Sequence, residues 1–313
     1  MPSPVSVPNN LVMVNEAGKT RRIVPAPDRE AGLREAAAIV DEGGIVAFPT
    51  ETVYGLAASP VVAGVADRLD RVKGRPAEKS YTVHIAAPGD FRRYVPRAPW
   101  LVRLLAGKAW PGPLTIVSPT TDEDADQAVR RFGPRAADLY TDGTLGLRCP
   151  AHPLARDLLA ACRVPVVAPS ANPSGQPPAA TADEVLAYFP HGEIDLVLDG
   201  GPTQYRGSST VVKVGPAGLE ILRVGILDAA ALDRMMWYRI LFVCTGNTCR
   251  SPMAEAICRR VAAELLDCRE AELESRCRLS VLSAGVWGGY GAPAALEAVQ
   301  AVTLLELARA GCQ

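Results

Sequence analysis

The sequence predicts two consecutive α/β domains, and three observations carry that expectation. Short β-branched and apolar runs alternate with stretches of helical periodicity from residue 28 onward. Late in the first domain such runs follow one another as adjacent pairs, which makes its sheet mixed rather than purely parallel. After a connecting stretch, Tyr238-Arg-Ile-Leu-Phe-Val243 opens a fresh apolar strand that leads straight into Cys244.

The bulk properties agree. A chain of 313 residues, 48% hydrophobic and 21% charged, has the length and composition for two globular domains with real cores. With 33 basic and 34 acidic residues the net charge is −1, so no global basic field holds nucleic acid, and any RNA contact needs a local patch. Met1 to Asn15 carries three prolines and lacks the basic and apolar segments of a signal or transit peptide. No apolar run approaches a membrane span, and eight cysteines without framework spacing favour a reducing compartment. A cytoplasmic protein without membrane contact is expected.

Taken in order, residues 1–28 are Pro-rich and aperiodic, and read as a flexible N-terminal arm. Asp28 to Gly43 combines a capping residue, apolar positions at helical spacing and a glycine stop, so it is a helix, followed by a strand at Gly44 to Phe48. Further strands are expected at Tyr81 to Ala86, Leu114 to Val117, Leu145 to Arg148, Val164 to Ala168, Ile194 to Leu198, Ser209 to Val214 and Leu219 to Val224. Helices are expected near 97–108, 152–162 and 181–189. The first domain spans 29–227, 228–237 forms a linker helix, and the second domain occupies 238–313.

Four loops of the first domain offer partners for anions. Lys73-Gly-Arg-Pro76 sets two cations before a proline that biases Arg75 towards extended backbone, which suits a polyanion and equally describes a solvated basic turn. Pro169-Ser-Ala-Asn-Pro-Ser-Gly175 emerges at the end of an apolar strand, where α/β sheets place ligands, although a Ser/Asn/Pro turn accounts for its composition. Phe48-Pro-Thr-Glu-Thr-Val-Tyr-Gly-Leu56 leaves a strand with hydroxyls, and Thr144-Leu-Gly-Leu-Arg148 ends one on a guanidinium.

These motifs, together with His84, Trp110-Pro-Gly-Pro-Leu-Thr115, Leu147 to Pro150, Asp199-Gly-Gly201, Ser208 to Val212 and Leu222-Arg-Val-Gly225, occur in the order seen in the threonylcarbamoyl-AMP synthase family. Roughly residues 30–227 resemble this YrdC/Sua5-like domain, whose fold is a mixed twisted sheet with helices. The resemblance implies a nucleotidyltransferase that joins L-threonine, bicarbonate and ATP into threonylcarbamoyl-AMP and pyrophosphate, for modification of adenosine in tRNA by threonylcarbamoyl-transferase proteins. By motif position it implies that Thr52, His84, Arg148, Ser209 and the backbone at Ala168 face threonine and its carbamate. Arg75, Lys79, Thr144, Ser170 and Arg223 would face ATP. Lys73 and Asn172 complete the paired Lys-x-Arg and Ser-x-Asn motifs, and Mg2+ would accompany the triphosphate, with no metal site of the protein's own. Pro178 departs from the family's usual serine, and a nucleotide contact by that hydroxyl is lost. His84 taken alone also fits a packing residue in a strand.

In the second domain, Cys244-Thr-Gly-Asn-Thr-Cys-Arg-Ser251 lies between a strand and a helix with Pro252 in its first turn. A Cys-x5-Arg loop wraps backbone N–H groups around a phosphate at a helix N-terminus and favours a thiolate. Residues 239–291, including Ser283-Ala-Gly285, resemble the low-molecular-weight protein tyrosine phosphatase family, a Rossmann-like parallel-sheet fold. The resemblance makes Cys244 the nucleophile, Arg250 the phosphate clamp, and Asn247 and Ser251 loop supports, while Thr248 tilts it towards the arginine phosphatases. No Asp-Pro follows Cys244, so the family's general acid is missing, and the domain reads as truncated and inactive, with turnover lower by roughly a hundredfold or more. The Ala- and Leu-rich stretch Ala292 to Gln313 has a helical pattern.

Three other functions compete. A double-stranded RNA or tRNA-binding module is disfavoured as sole function by the net charge; carbamoyl transfer in hydrogenase maturation lacks its Cys-x2-Cys repeats; and an active tyrosine or arginine phosphatase lacks the acid loop.

Overall fold

A computed structural model describes residues 13–14, 20–23, 29–74, 80–215, 218–287 and 293–302. The chain divides into two compact units, Met1–Leu232 and Asp233–Gln313. The first runs β1 (Met13–Val14), β2 (Arg21–Ile23), α1 (Arg29–Asp41), β3 (Val46–Pro49), β4 (Tyr54–Ala57), α2 (Val65–Lys73), β5 (Thr82–His84), α3 (Trp100–Ala109), β6 (Leu114–Pro119), α4 (Asp122–Phe132), β7 (Thr144–Arg148), α5 (Pro153–Ala161), β8 (Val166–Val167), α6 (Ala182–Tyr188), β9 (Leu196–Leu198), β10 (Thr210–Gly215) and β11 (Gly218–Arg223). The division falls within α7 (Ala229–Met236), inside the stretch expected to be a linker helix.

Where one mixed sheet was expected, the described residues form two. Their orders are β1-β2-β9-β3-β4 and β11-β10-β6-β7-β5-β8, both with parallel and antiparallel neighbours. Isolated bridges Gly55↔Ser170 and Ala58↔Val167 join β4 to the β8 region, so the two sheets meet there. Hydrophobic periodicity reports burial of a strand but not its partner, and for that reason the split was not legible.

Helix α1 buries Leu33, Ala36, Ala37 and Val40 at helical spacing, and this stripe packs with Leu154, Leu158 and Leu159 of α5 over Val46, Phe48, Leu196 and Leu198 of the first sheet. The chain leaves α1 through Gly43 at φ +93°, a left-handed conformation that favours glycine.

Four sequence expectations need correction. Residues 13–14 and 20–23 are not part of a loose arm: β2 pairs in parallel with β9, Thr20 Oγ1 donates to the Ile194 carbonyl at 2.8 Å, and Arg22 pairs with Asp183 and, at 2.5 Å, with Asp199. A short strand held by main-chain bonds and ion pairs leaves no apolar periodicity to read. The rest of 1–28 lies outside the described residues. Tyr54–Ala57 is a buried strand antiparallel to β3, not a loop; Thr50 Oγ1 closes the reversal by accepting from Val53 N at 3.2 Å and donating to its carbonyl at 2.7 Å. Helices α2 and α4 escaped notice because each is short of apolar residues: α2 has only Val65, Leu69 and Val72 at helical spacing, and α4 buries only Asp124 and Ala128. In α4 the signal was a capping box, Asp124 accepting from Thr121 N at 2.8 Å.

The second unit contains β12 (Tyr238–Cys244), α8 (Arg250–Leu265), α9 (Leu273–Cys277) and β13 (Leu279–Gly285). β12 and β13 pair in parallel from Tyr238↔Leu279 to Cys244↔Gly285, and the crossover helix α8 packs on both, a Rossmann-like arrangement. Residues 296–302 are helical within the stretch expected to be so; 303–313 lie outside the described residues. Among the described residues no helix is long and apolar enough to cross a membrane.

Leu158→Ala is expected to cost about 3 kcal/mol by opening a cavity between α5 and the first sheet. Urea unfolding of the full chain measures it; a loss under about 1 kcal/mol would show that the α1–α5 layer is not a close-packed core.

Candidate functional site

Where the two sheets of the first unit meet lies a cavity of about 420 Å³. Strand β7 delivers its principal charge. Leu145 and Leu147 point into the core, so Arg148, one residue further, faces the opposite side and lines the cavity. Its Nη2 donates to Glu51 Oε1 and to Thr52 Oγ1, both at 2.7 Å, while Glu51 Oε2 accepts from Ala151 N at 2.8 Å. All three side chains are buried, and Arg148 Nε has no partner. A donor left open on a buried cation is costly unless a ligand fills it.

His84, on β5, stands in register with Arg148. Burial, reinforced by the neighbouring guanidinium, pushes its pKa down to about 3, so the imidazole is neutral. Its Nδ1 lies 3.1 Å from the Thr82 carbonyl, an acceptor, which assigns the proton to Nδ1 and leaves Nε2 as an acceptor.

Arg223, at the end of β11, donates through Nε (3.1 Å) and Nη2 (2.9 Å) to the Ser209 carbonyl and through Nη2 to Ser209 Oγ (3.1 Å). Ser209 Oγ also meets Thr115 Oγ1 at 3.1 Å. Burial and repulsion from Arg148 lower the Arg223 pKa. Among the described residues the cavity lining contains no carboxylate, so the field that Arg148 and Arg223 share favours an anion.

The opposite wall is the loop 169–175 after β8. Gly55 bridges to Ser170, Ala171 N donates to the Tyr54 carbonyl at 2.8 Å, and Lys73 Nζ donates to the carbonyls of Ser170 (2.5 Å) and Asn172. Asn172 Nδ2 donates to the carbonyls of Pro173 (2.9 Å) and Gln176 (2.7 Å), while its buried Oδ1 has no partner. Lys73 therefore shapes the loop that presents Ser170.

Of the residues expected from sequence, Lys73, His84, Arg148, Ala168, Ser170, Asn172, Ser209 and Arg223 line this one cavity. Thr52 does not; it lies behind Arg148 and orients it. Thr144 is also off the lining, at the far end of β7, where its hydroxyl donates to the Thr141 carbonyl at 2.9 Å. It shares a strand face with Arg148, two pleats away. Arg75 and Lys79 lie outside the described residues. Glu51 and Thr115 were missed. Each sits inside a motif already singled out, and the legible signal was Glu51 itself, the single charge in Phe48 to Leu56, whose burial demands a cation.

In the second unit, Cys244, Arg250 and Ser251 line a cavity of about 560 Å³. Ser251 Oγ lies 2.9 Å from Cys244 Sγ and 2.8 Å from Asn247 Oδ1, either of which can take its proton, and Asn247 N donates to the sulfur at 3.2 Å. Hydrogen bonds from Ser251 and from the loop amides bring the Cys244 pKa down to about 7. Asn247 takes φ +52°, which asparagine tolerates. Gly285 is required beside it, because a Cβ there would lie 2.9 Å from Asn247 N. Thr248 is exposed, off the lining, and its carbonyl accepts from Ala295 N.

Comparison with known proteins matches both units to families. Residues 38–225, more than half of the chain, match the Sua5/YciO/YrdC family model, described as "Telomere recombination". Residues 239–304 match the model of the low molecular weight phosphotyrosine protein phosphatases. The chain is 35% identical over 204 residues to the threonylcarbamoyl-AMP synthase of Pyrococcus abyssi, covering 65% of this chain and 57% of that protein. It is 36% identical over 206 residues to that of Bacillus subtilis, covering 65% and 56%. The match thus spans little more than half the length of these curated relatives. The crystal structure of P. abyssi Sua5 complexed with L-threonine superposes with a TM-score of 0.58 at 27% identity, covering 85% of this chain and 82% of that one. The chain belongs to the Sua5/YciO/YrdC family.

Proposed function

We propose that the first unit is an L-threonylcarbamoyladenylate synthase, whose product serves threonylcarbamoyl transfer to adenosine in tRNA. One observation carries the reading. A buried guanidinium held by Glu51 and Thr52, a second guanidinium bonded to neutral oxygens, and a neutral imidazole line one cavity that has no carboxylate among its described lining residues. Such a site suits a carboxylate and a phosphate held together. A similar protein crystallised with L-threonine and relatives named as threonylcarbamoyl-AMP synthases supply the substrate class.

In this reading the threonine amine attacks bicarbonate carbon, an N–C bond forms, and water leaves. A carbamate oxygen then attacks the α-phosphorus of ATP, the bond to the bridging oxygen breaks, and pyrophosphate departs. The Arg148 guanidinium, steadied by Glu51 and Thr52, takes a carboxylate oxygen; Ser209 and Ala168 flank the carbamate; Arg223 and Ser170 face the α-phosphate. Arg75 and Lys79 serve the remaining phosphates, and the nucleotide extends along β7 towards Thr144. Rate enhancement comes from orientation and from charges fixed before reaction.

His84 is an acceptor for the bound threonine rather than a base. With a pKa of about 3, it is far from the value that makes an efficient proton acceptor near neutrality. Magnesium, if required, travels with the triphosphate. The lining supplies hydroxyls and no carboxylate, and among the described residues no cluster of three His, Cys, Asp or Glu could hold a metal. The donor set does not fit a resident ion.

A second reading rests on Cys244, whose depressed pKa and position beside Arg250 support phosphate binding and thiolate chemistry in the second unit.

Three outcomes test these readings. Purified full-length chain given ATP, L-threonine, bicarbonate and magnesium is expected to release pyrophosphate only when threonine and bicarbonate are both present, and Arg223→Ala to slow release by about a hundredfold. Release that ignores threonine, or none from folded protein, sinks the synthase.

The His84 pKa sets an acid limit. Between pH 6.5 and about 3 the unfolded state binds a proton that the folded state refuses, so stability is present above pH 6.5 and is lost as pH falls. The loss reaches on the order of 5 kcal/mol, and His84→Asn should flatten it in urea titrations at stepped pH. An unchanged slope in the variant would return His84 to an ordinary, solvated imidazole.

Iodoacetamide should alkylate Cys244 with a midpoint near pH 7, slowed by inorganic phosphate. A midpoint near the ordinary thiol value, about 8.5, contradicts the thiolate loop.

A further inference from the structure

Two cysteines of the second unit that lie outside the phosphate loop face each other. Cys268, just past the end of α8, and Cys277, the last residue of α9, place their sulfurs 3.7 Å apart, both half-buried and both reduced. The approach is built into the fold. Arg276 Nη1 donates to the Asp267 carbonyl at 3.0 Å, tying together the residues beside each cysteine. Cys268 N donates to the Ala263 carbonyl at 3.0 Å, and Leu273, fully buried, anchors the turn between them. A cavity of about 390 Å³, lined by Arg260, Asp267, Cys268 and Arg269 among others, reaches Cys268 from outside.

We propose that Cys268 and Cys277 form a reversible dithiol–disulfide pair whose oxidant is a low-molecular-weight disulfide of the glutathione type. Bond formation needs the sulfurs to close from 3.7 Å to about 2 Å, within reach of small side-chain rotations. One thiol loses its proton and attacks a sulfur of the oxidant, giving a mixed disulfide and a released thiolate. The second thiol, deprotonated in turn, attacks the protein sulfur of that mixed disulfide. The second oxidant thiolate leaves, and the two protons end on the two released thiols. The protein gives up two electrons and the oxidant takes them.

The bond would link the end of α8 to the chain entering β13, which starts two residues after Cys277. β13 runs beside β12 to Gly285, against the phosphate loop, so the disulfide braces the strand that supports Cys244. Closing this short loop removes freedom from the unfolded chain and stabilises the second unit.

The full chain is incubated with glutathione disulfide, alkylated with iodoacetamide and digested with trypsin. Cleavage after Arg269 and Arg276 separates the two cysteines unless a disulfide joins them. A linked pair containing Cys268 and Cys277, released by dithiothreitol, is expected. In Cys277→Ser, Cys268 should instead carry glutathione. The oxidised wild type should also melt several degrees higher than its reduced form, a shift absent from the Cys268→Ser/Cys277→Ser double variant. Recovery of both cysteines from the treated wild type as separate alkylated or glutathionylated peptides overturns the proposal.

Discussion

The buried carboxylate of Glu51 fixes the guanidinium of Arg148, and the site of the first unit is arranged around that pair. Glu51 hangs from the reversal between β3 and β4 in the first sheet, and Arg148 ends β7 in the second, so one ion pair clamps the two sheets where they meet. Its worth as stability is small or negative, because both charges are removed from water. What it provides is direction. With Nη2 committed to Glu51 and Thr52, the guanidinium is held in one orientation in the cavity wall.

The rest of the site follows electrostatically. Burial, with help from Arg148, keeps His84 neutral, so the cavity holds an imidazole acceptor beside the Glu51-paired guanidinium rather than a second cation. Arg223, exposed at the cavity's edge, is lowered in pKa by partial desolvation and by the same neighbour. Lys73 contributes at one remove, by holding the carbonyls of Ser170 and Asn172 so that the loop keeps its shape. Binding energy for an anionic substrate is thus stored as positive charge that the fold confines.

Much of this was legible in the residues. Lys73, His84, Arg148, Ser170, Asn172, Ser209 and Arg223, spread over 151 positions (73 to 223), were singled out together and line one cavity. Motif order carries this information because each motif sits where a strand or helix ends, which is where a sheet exposes its loops. Roles were less legible. Thr52 reads as a ligand-facing hydroxyl, yet its Oγ1 is taken by Arg148, and Lys73 reads as a phosphate cation, yet its ammonium serves loop carbonyls. Such assignments depend on which atom points where, which sequence spacing does not fix. The division into two sheets and the β2–β9 pairing depend on contacts between distant residues, and the strand Tyr54–Ala57, a local hairpin partner of β3, is buried throughout and so lacks the polar alternation that marks a strand, whereas the helical periodicity of α1 and the apolar run of β12 were plain.

In the proposed synthase, Glu51 and Thr52 preset Arg148 for a carboxylate. Isothermal titration of the full chain with L-threonine tests it, comparing wild type with Glu51→Gln and with the milder Thr52→Val. The account predicts that each variant whose unfolding transition is retained binds threonine at least about tenfold more weakly, some 1.4 kcal/mol. Unchanged affinity in a folded Glu51→Gln protein would contradict it.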